Sequence, residues 1–236
     1  MTFLLAALAG CGSPDYAVGD VTIQPSPAGY YSGELVYGTH TGRAVALVSK
    51  TGEVRIVETT TGRELIAALP DSGPDWHTSL QGYAALGGAL PGGASRCHGT
   101  LDGDAVAAAN LFAEYSCGSL DGFFSLDYDD AVSFDPPDVA ELTGIVQGSL
   151  PGHGILLLTV DFDGSYTGTD TGGCSYEGTF TAADAIINLY DMRLTRHCGS
   201  ATLQLAGLAS LDTVHGCLYF GVSDMDDSLA GVLVYQ

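Results

Sequence analysis

Apolar and polar side chains alternate along most of this chain. In the segment "LLLTVDFDGSY", Leu156, Leu158 and Val160 fall on one face while the residues between them fall on the other. A period of two residues is typical of a half-buried β-strand. The segment "DAVAAANLFAEYSC" has a helix-like composition, but positions 107–117 also alternate, so we predict a strand there too.

Short turns separate these alternating segments. Four two-residue hairpin turns are predicted, at Thr51-Gly52, Asp102-Gly103, Asp121-Gly122 and Asp163-Gly164. Glycine supplies 33 of the 236 residues, about twice the average usage of ~7%. The pattern therefore predicts an all-β protein of antiparallel strands, arranged as meanders or in a barrel-like form.

An internal repeat divides the chain into two similar tandem halves. "GYYSGEL" from Gly29 and "GIVQGSL" from Gly144 share the pattern Gly-x-x-x-Gly-x-Leu, 115 residues apart. Two prolines interrupt strand structure in "FDPPDVAEL", so we place the boundary at Pro137, between an N-terminal half 29–136 and a C-terminal half 137–236. The long period excludes a solenoid. Two tandem domains and one barrel-like body built from two halves both remain open.

The N-terminus has the features of an export signal. The apolar run 3–9 is too short to cross a bilayer, which takes roughly 20 residues, and matches the core of a signal peptide. Leu8-Ala9-Gly10-Cys11 resembles a bacterial lipobox, which predicts a signal peptide at 1–10, a lipid on Cys11 and a linker at 11–28. The alternative is a buried N-terminal strand. No Asp follows Cys11, which favours the outer membrane, on its periplasmic or surface face.

The large excess of acidic over basic residues argues against nucleic acid as a binding partner. The chain has 7 Lys+Arg against 28 Asp+Glu, a formal charge of −21, while 46% of its residues are hydrophobic. So acidic a surface repels nucleic acid, and the apolar content favours a folded chain over a disordered one. We therefore expect the membrane to be reached only through the lipid anchor, with an envelope or surface protein as the partner.

The cysteines indicate an oxidising compartment. Apart from Cys11 there are five, and pairing cysteines that bracket about two strands of one half leaves Cys217 alone. The predicted disulfides are Cys97–Cys117 and Cys174–Cys198. Histidines stand beside Cys97 and Cys198, but no C-x₂₋₄-C spacing occurs, so no zinc or other metal site is predicted.

Several segments carry a family resemblance. "GSYTGTDTGGCSYEGTFT", "LAGLASLDT" and "GCLYFGVSD" resemble the C-terminal part of a family of small proteobacterial lipoproteins with a "GTYTGTDxxGCxYxGT"-type signature. "GRAVALVSKTGEVRIVE" is similar to the first hairpin of that family, and the likeness runs from Gly29 to Tyr235. The cysteines at 97, 117 and 217 depart from it. The resemblance implies a lipid-anchored, exported β protein and brings no catalytic residues with it.

Candidate chemistry is sparse. The common nucleophile, metal and nucleotide motifs are missing from the sequence, so we predict no catalytic residues and no cofactor. The aspartates at 161, 163 and 170 suit a hairpin turn better than a calcium loop. The acidic stretches "LDYDDAVSFDPPD" and "SDMDDS" are typical of solvated loops. Trp76 and His77, in "PDSGPDWHTS", are candidate contact residues, with a partly buried loop anchor as the alternative for Trp76.

The sequence is compatible with three classes of function. The first is a lipid-anchored envelope lipoprotein with a non-enzymatic, binding or structural role. The second is a calycin-like carrier that holds a small apolar ligand in a barrel. The third is a hydrolase, for which the sequence offers no set of acid, base and nucleophile. The first fits the sequence best, and we expect the protein not to be an enzyme.

Overall fold

A computed structural model describes residues 27–70, 72–151 and 153–235. The predicted signal peptide 1–10, Cys11 and most of the linker lie outside the described residues. The first eight described strands are β1 (Gly29–Tyr37), β2 (His40–Val48), β3 (Glu53–Glu58), β4 (Glu64–Ala68), β5 (Asp75–Tyr83), β6 (Arg96–Val106), β7 (Asn110–Cys117) and β8 (Leu120–Tyr128). The next eight are β9 (Gly144–Leu150), β10 (Gly154–Val160), β11 (Ser165–Asp170), β12 (Ser175–Ala182), β13 (Tyr190–Cys198), β14 (Ala201–Asp212), β15 (Cys217–Ser223) and β16 (Ser228–Tyr235).

The strands form two closed barrels. Within each barrel every strand pairs antiparallel with the next, so that β1–β8 close the first barrel and β9–β16 close the second. Helix α1 (Asp130–Ser133) and the 3₁₀ helix Val139–Leu142 lie in the connection, which also contains Pro137. The prediction of an all-β antiparallel protein with two similar tandem halves is confirmed.

The repeated Gly-x-x-x-Gly-x-Leu pattern is the first strand of each barrel. Gly29 and Gly144 take φ values of +147° and +137°, a conformation that other residues rarely adopt. A Cβ on Gly33 would lie 2.1 Å from a carbonyl oxygen of β8, and a Cβ on Gly148 would lie 2.2 Å from one of β16. The second glycine is therefore needed where the last strand closes on the first.

The two closing seams differ in length. Seven residue pairs join β1 to β8, from Tyr31 opposite Tyr128 to Tyr37 opposite Gly122. Among the described residues, β16 pairs with β9 at two positions only, both at the end of the chain. The second barrel is thus closed by the shorter seam.

Side chains fill both barrels. The inward positions of the first barrel form one apolar cluster that includes Tyr31, Trp76 and Phe124. The second barrel has its own cluster, with Tyr166 and Phe180 among its members. Rings of this size occupy the volume that the barrel walls enclose.

The outer faces of β1–β4 pack against the second barrel. A third apolar cluster joins Leu47 and Val57 to Leu208 and Ala230. The surrounding contacts are polar, and Lys50 forms an ion pair with Asp184 at the edge. The interface between the two barrels therefore has an apolar core that is separate from the cores inside the barrels.

A buried ion pair lies in this interface. Nη1 of Arg55 is 2.8 Å from Oε1 of Glu64 and donates to the Ser223 hydroxyl at 3.0 Å, while the Ser228 hydroxyl donates to Glu64 at 2.5 Å. Burial opposes the charge on Arg55, but the carboxylates of Glu64 and Glu53 outweigh it and raise the pKa of the guanidinium. Because both serines come from the second barrel, this network ties the two barrels together.

The loop between β5 and β6 contacts both barrel interiors. Leu90 belongs to the core of the first barrel, whereas Leu86 packs into the core of the second. Nε2 of His153 lies 2.6 Å from the carbonyl oxygen of Leu86. A loop of the N-terminal half thus helps to close the C-terminal barrel.

Two of the four predicted turns are wrong. Thr51-Gly52 and Asp163-Gly164 do lie in hairpin turns, but Asp102-Gly103 lies within β6 and Asp121-Gly122 within β8. Gly103 and Gly122 point inward, where added Cβ atoms would lie 2.1 Å and 1.9 Å from carbonyl oxygens of neighbouring strands. These glycines allow close approach rather than chain reversal. The strand predicted over 107–117 begins only at Asn110, because Ala108, with φ of +50°, forms a turn.

Candidate functional site

An acidic face covers the outer side of β5–β8. The outward residues of these strands alternate with buried ones, and most of them are exposed. The carboxylates among them are Asp75, Asp102, Asp104, Glu114, Asp121 and Asp127. Arg96 is the one Lys or Arg on these strands, and its Nη1 lies 2.8 Å from Asp226 on the turn between β15 and β16.

Like charges stand directly opposite each other on the acidic face. Asp102 is paired with Glu114 across β6 and β7, and Asp75 is paired with Asp104 across β5 and β6. Opposed like charges destabilise a sheet by roughly 0.2–1 kcal/mol. The fold therefore holds negative charge here at a cost to its own stability.

Two exposed rings interrupt the acidic face. Phe112 and Phe123 have ring centroids 6.3 Å apart, and each is about two-fifths exposed. Phe123 is paired with Glu114 on one side and with Val36 on the other. The face thus combines carboxylates with an apolar strip that a ligand's alkyl chain can cover.

An open groove of about 620 Å³ runs between these groups. Asp102, Glu114, Asp121 and Phe123 line it, together with Tyr115. The Tyr115 hydroxyl is buried and has no hydrogen-bond partner among the described residues. Burial, followed by the charge of Glu58, raises the pKa of Tyr115, whose side chain points into the core of the first barrel and not into the groove.

Trp76 is not a surface contact residue. It lies on β5 inside the first barrel, its Nε1 donates to the Ala68 carbonyl at 2.7 Å, and its ring packs edge-on against Phe124. The contact hypothesis for Trp76 is therefore wrong, and in place of the partly buried loop anchor considered as the alternative, Trp76 is a fully buried strand residue, because alternation along β5 turns this ring inward. His77, the next residue, faces outward with Nδ1 3.4 Å from a carboxylate oxygen of Asp102, at the edge of the acidic face.

A second group of polar residues closes one end of the first barrel. Glu58 is buried and lies 2.5 Å from Nε2 of His40, and it accepts hydrogen bonds from Thr61 at 2.5 Å and Tyr37 at 3.3 Å. The guanidinium of Arg63 stacks 4.4 Å from the centre of the Tyr37 ring. Burial and the charge of Glu58 raise the pKa of Tyr37.

The second barrel has a corresponding group. Asp170 accepts hydrogen bonds from the Tyr176 hydroxyl at 2.7 Å and from the backbone N–H of Cys174 at 2.9 Å. Burial opposes its charge, but these bonds and the charge of Arg196 lower the pKa of Asp170. A lowered pKa means that Asp170 stabilises the fold above its unfolded pKa and that this contribution is lost as the pH falls through the lowered value.

Glu58 and Asp170 occupy equivalent places. Each is the last residue of the third strand of its barrel, and they are 112 residues apart, as are the turn residues Gly52 and Gly164. Sequence reasoning missed Glu58, and it considered Asp170 only beside the turn at Asp163, whereas Asp170 is the buried last residue of β11. The signal was present, since each stands at an inward position of an alternating strand and at the offset of the repeat.

Both predicted disulfides are confirmed. Cys97 is bonded to Cys117, and Cys174 is bonded to Cys198. Cys217 has no disulfide partner within the described residues, and burial, with the nearby charge of Asp212, raises the pKa of its thiol.

The remaining acidic loops have structural partners. Asp163 accepts a hydrogen bond from the backbone N–H of Ser165 at 3.0 Å in its turn, and Asp224 accepts two from the backbone of its own loop. Across residues 27–70, 72–151 and 153–235, no group of three or more His, Cys, Asp or Glu side chains could hold a metal ion.

Comparison of the chain with protein-family models, curated proteins and solved structures gives no match. None of the helices in the described part of the chain has the length and apolar character needed to cross a membrane.

Proposed function

We propose that this chain is a lipid-anchored envelope lipoprotein with a non-enzymatic role, and that it binds a cationic segment of a partner through the acidic face. The observation that carries the proposal is the opposition of Asp102 to Glu114 on an exposed surface. A bound Lys or Arg would relieve this repulsion, while Phe112 and Phe123 would contact its alkyl stem.

The filled interiors favour contact over the carrier alternative. A carrier needs an enclosed apolar chamber of about 300–1,000 Å³, whereas Trp76, Tyr166 and Phe180 are fully buried inside the barrels. A calycin-like carrier would have to move such rings aside before it could admit a ligand.

The two buried carboxylates also fit a non-enzymatic protein. Glu58 and Asp170 each accept hydrogen bonds from hydroxyl or N–H groups nearby. Satisfied in this way, a buried carboxylate stabilises a barrel end without taking part in chemistry.

The anchor is the part of the proposal that rests on sequence alone. We propose that Cys11 carries the lipid and that the protein lies at the outer membrane. Cys11→Ala should move the protein from the membrane fraction to the soluble exported fraction, since acyl chains would be its only attachment. Sedimentation of the variant with membranes would contradict the anchor.

Binding can be tested with a lysine-rich peptide and the same peptide carrying glutamate instead. We expect the lysine peptide alone to bind, more weakly as salt rises. The double variant Asp102→Asn/Glu114→Gln should lose about tenfold in affinity, ~0.7 kcal/mol for each charge. The matched control is Glu177→Gln/Asp191→Asn, which removes two exposed carboxylates from the second barrel. Equal losses of affinity in both double variants would mean that the peptide binds by nonspecific charge attraction, which would contradict the proposed site.

A further inference from the structure

The two disulfides have different surroundings, and the difference points to chemistry. We propose that Cys174–Cys198 is an exchange-active disulfide that reacts with a dithiol partner, with Arg196 stabilising the departing thiolate, and that Cys97–Cys117 is an inert structural crosslink. This proposal is independent of the acidic face, which lies on the other barrel.

Arg196 lies directly against both sulfur atoms. Its Nη2 is 3.0 Å from Sγ of Cys174 and 3.3 Å from Sγ of Cys198. Its Nε donates to the Tyr176 hydroxyl at 3.1 Å, and within the described chain no carboxylate oxygen lies within 4.0 Å of the guanidinium. A cation at this distance stabilises a thiolate and so makes the sulfur a better leaving group.

The other charged groups nearby are already engaged or lie further away. Asp170 accepts hydrogen bonds from the Tyr176 hydroxyl and from the N–H of Cys174, and it acts on Arg196 through its charge without a direct ion pair. Asp227 acts on Arg196 only through its charge. The Leu86 carbonyl can only accept, so Nε2 of His153 carries the proton and its Nδ1 faces Arg196 at 3.4 Å as an acceptor. Arg196 therefore remains the cation closest to the disulfide.

The disulfide is open to a reagent. A pocket of about 410 Å³ is lined by both cysteines, Arg196 and His153. Cys198 is partly exposed, whereas Cys174 is 3% exposed. An incoming thiolate therefore reaches Sγ of Cys198 first, and Cys174, the sulfur nearer to Arg196, is the one that leaves.

The exchange balances with a dithiol as the co-reactant. Its thiolate attacks Sγ of Cys198, a new S–S bond forms, and the Cys174–Cys198 bond breaks with its electron pair left on Cys174. The second thiolate of the dithiol then attacks the mixed disulfide and releases Cys198. The protein gains two electrons, the dithiol becomes a disulfide, and the two cysteine thiolates take up protons from water.

Cys97–Cys117 provides the internal reference. Cys117 is fully buried in the core of the first barrel. The backbone of Gly82 lies over the bond, since a Cβ there would be 2.7 Å from one sulfur and 3.1 Å from the other. Within the described residues, no Arg, Lys or His side chain donates a hydrogen bond to either sulfur. Cys97 is partly exposed, as Cys198 is, so the two disulfides differ in the cation beside the sulfur atoms and not in exposure.

The test is reduction of the folded protein with dithiothreitol, quenched at intervals by alkylation, with each disulfide quantified by peptide mass spectrometry. We expect Cys174–Cys198 to open at least about tenfold faster than Cys97–Cys117, and Arg196→Met to remove most of that ratio. Arg196→Lys should retain it. Arg193→Met is the matched control, because Arg193 lies on the same strand but faces outward.

A loosened fold in Arg196→Met would speed both reductions, so the ratio of the two rates is the deciding quantity. The equilibrium potential in a glutathione buffer gives a second measurement. Loss of the cation should make the Cys174–Cys198 potential more negative, by about 30 mV for a tenfold change in the equilibrium constant. Equal rates in the wild type, or a ratio and potential that are unchanged in Arg196→Met, would overturn the proposal.

Discussion

The two outer faces of the first barrel differ in burial. On β1–β4 the outward positions include Leu47, Arg55 and Val57, which are buried against the second barrel. On β5–β8 they include Asp102 and Glu114, which are exposed. The same in–out alternation builds both faces. Inward residues thus determine that a barrel forms, and outward residues determine what that barrel meets.

The largest effect is expected from breaking the buried face. Glu64→Ala would leave the buried guanidinium of Arg55 with only the partly exposed carboxylate of Glu53, which we expect to lower the free energy of unfolding by about 3 kcal/mol. Urea unfolding followed by circular dichroism measures this. Glu114→Ala, which removes a carboxylate from the acidic face, is the control and should not lower the free energy of unfolding, because it relieves the repulsion with Asp102. A loss under about 1 kcal/mol in Glu64→Ala would show that the ion pair is not a major contact between the barrels.

An effect of similar size is expected where the first barrel reaches into the second. Leu86→Ala should cost about 2–4 kcal/mol, since it leaves a cavity in the core of the second barrel. Ile155→Ala is the control, because Ile155 is half exposed. Thermal unfolding of the wild type should be one cooperative transition, and two well-separated transitions would contradict the coupling of the barrels.

The smallest effect, and one of opposite sign, is expected on the acidic face. Asp102→Asn removes a like-charge pair and should raise the free energy of unfolding by about 0.2–1 kcal/mol, less at high salt. Asp191→Asn is the control on the second barrel, since Asp191 stands opposite the uncharged Thr181 and Leu208. A lower free energy of unfolding in Asp102→Asn would mean that the carboxylates of the acidic face stabilise the fold and do not destabilise it.

Sequence alone could predict the strands and the disulfides because both depend on local order. Alternation gives the strands, and cysteines that bracket about two strands come together in a meander. The errors also have a physical cause. Asp102-Gly103 looks like a turn because glycine serves both chain reversal and close strand approach, and one sequence does not distinguish these uses.

The candidate site could be predicted only in part. The sequence shows the excess of acidic residues, but their concentration on one face depends on which outer face of the first barrel the second barrel covers. That in turn depends on long-range contacts such as Arg55 with Ser223, 168 residues apart. The packing of Leu86 in the core of the second barrel likewise cannot be predicted from the local sequence pattern. The inward position of Trp76 could have been predicted, because the alternation extended back from Leu80 places Trp76 on the inward face.

The short seam of the second barrel has a consequence for self-association. Among the described residues only two pairs join β16 to β9, so this is where a barrel can open with the fewest broken bonds. Opening would expose two unpaired strand edges, and such edges recruit strands from other molecules. Amide hydrogens along β9 should therefore exchange before those of β1, and at high concentration the first oligomers should form by pairing of the β9 edge of one chain with the β16 edge of another.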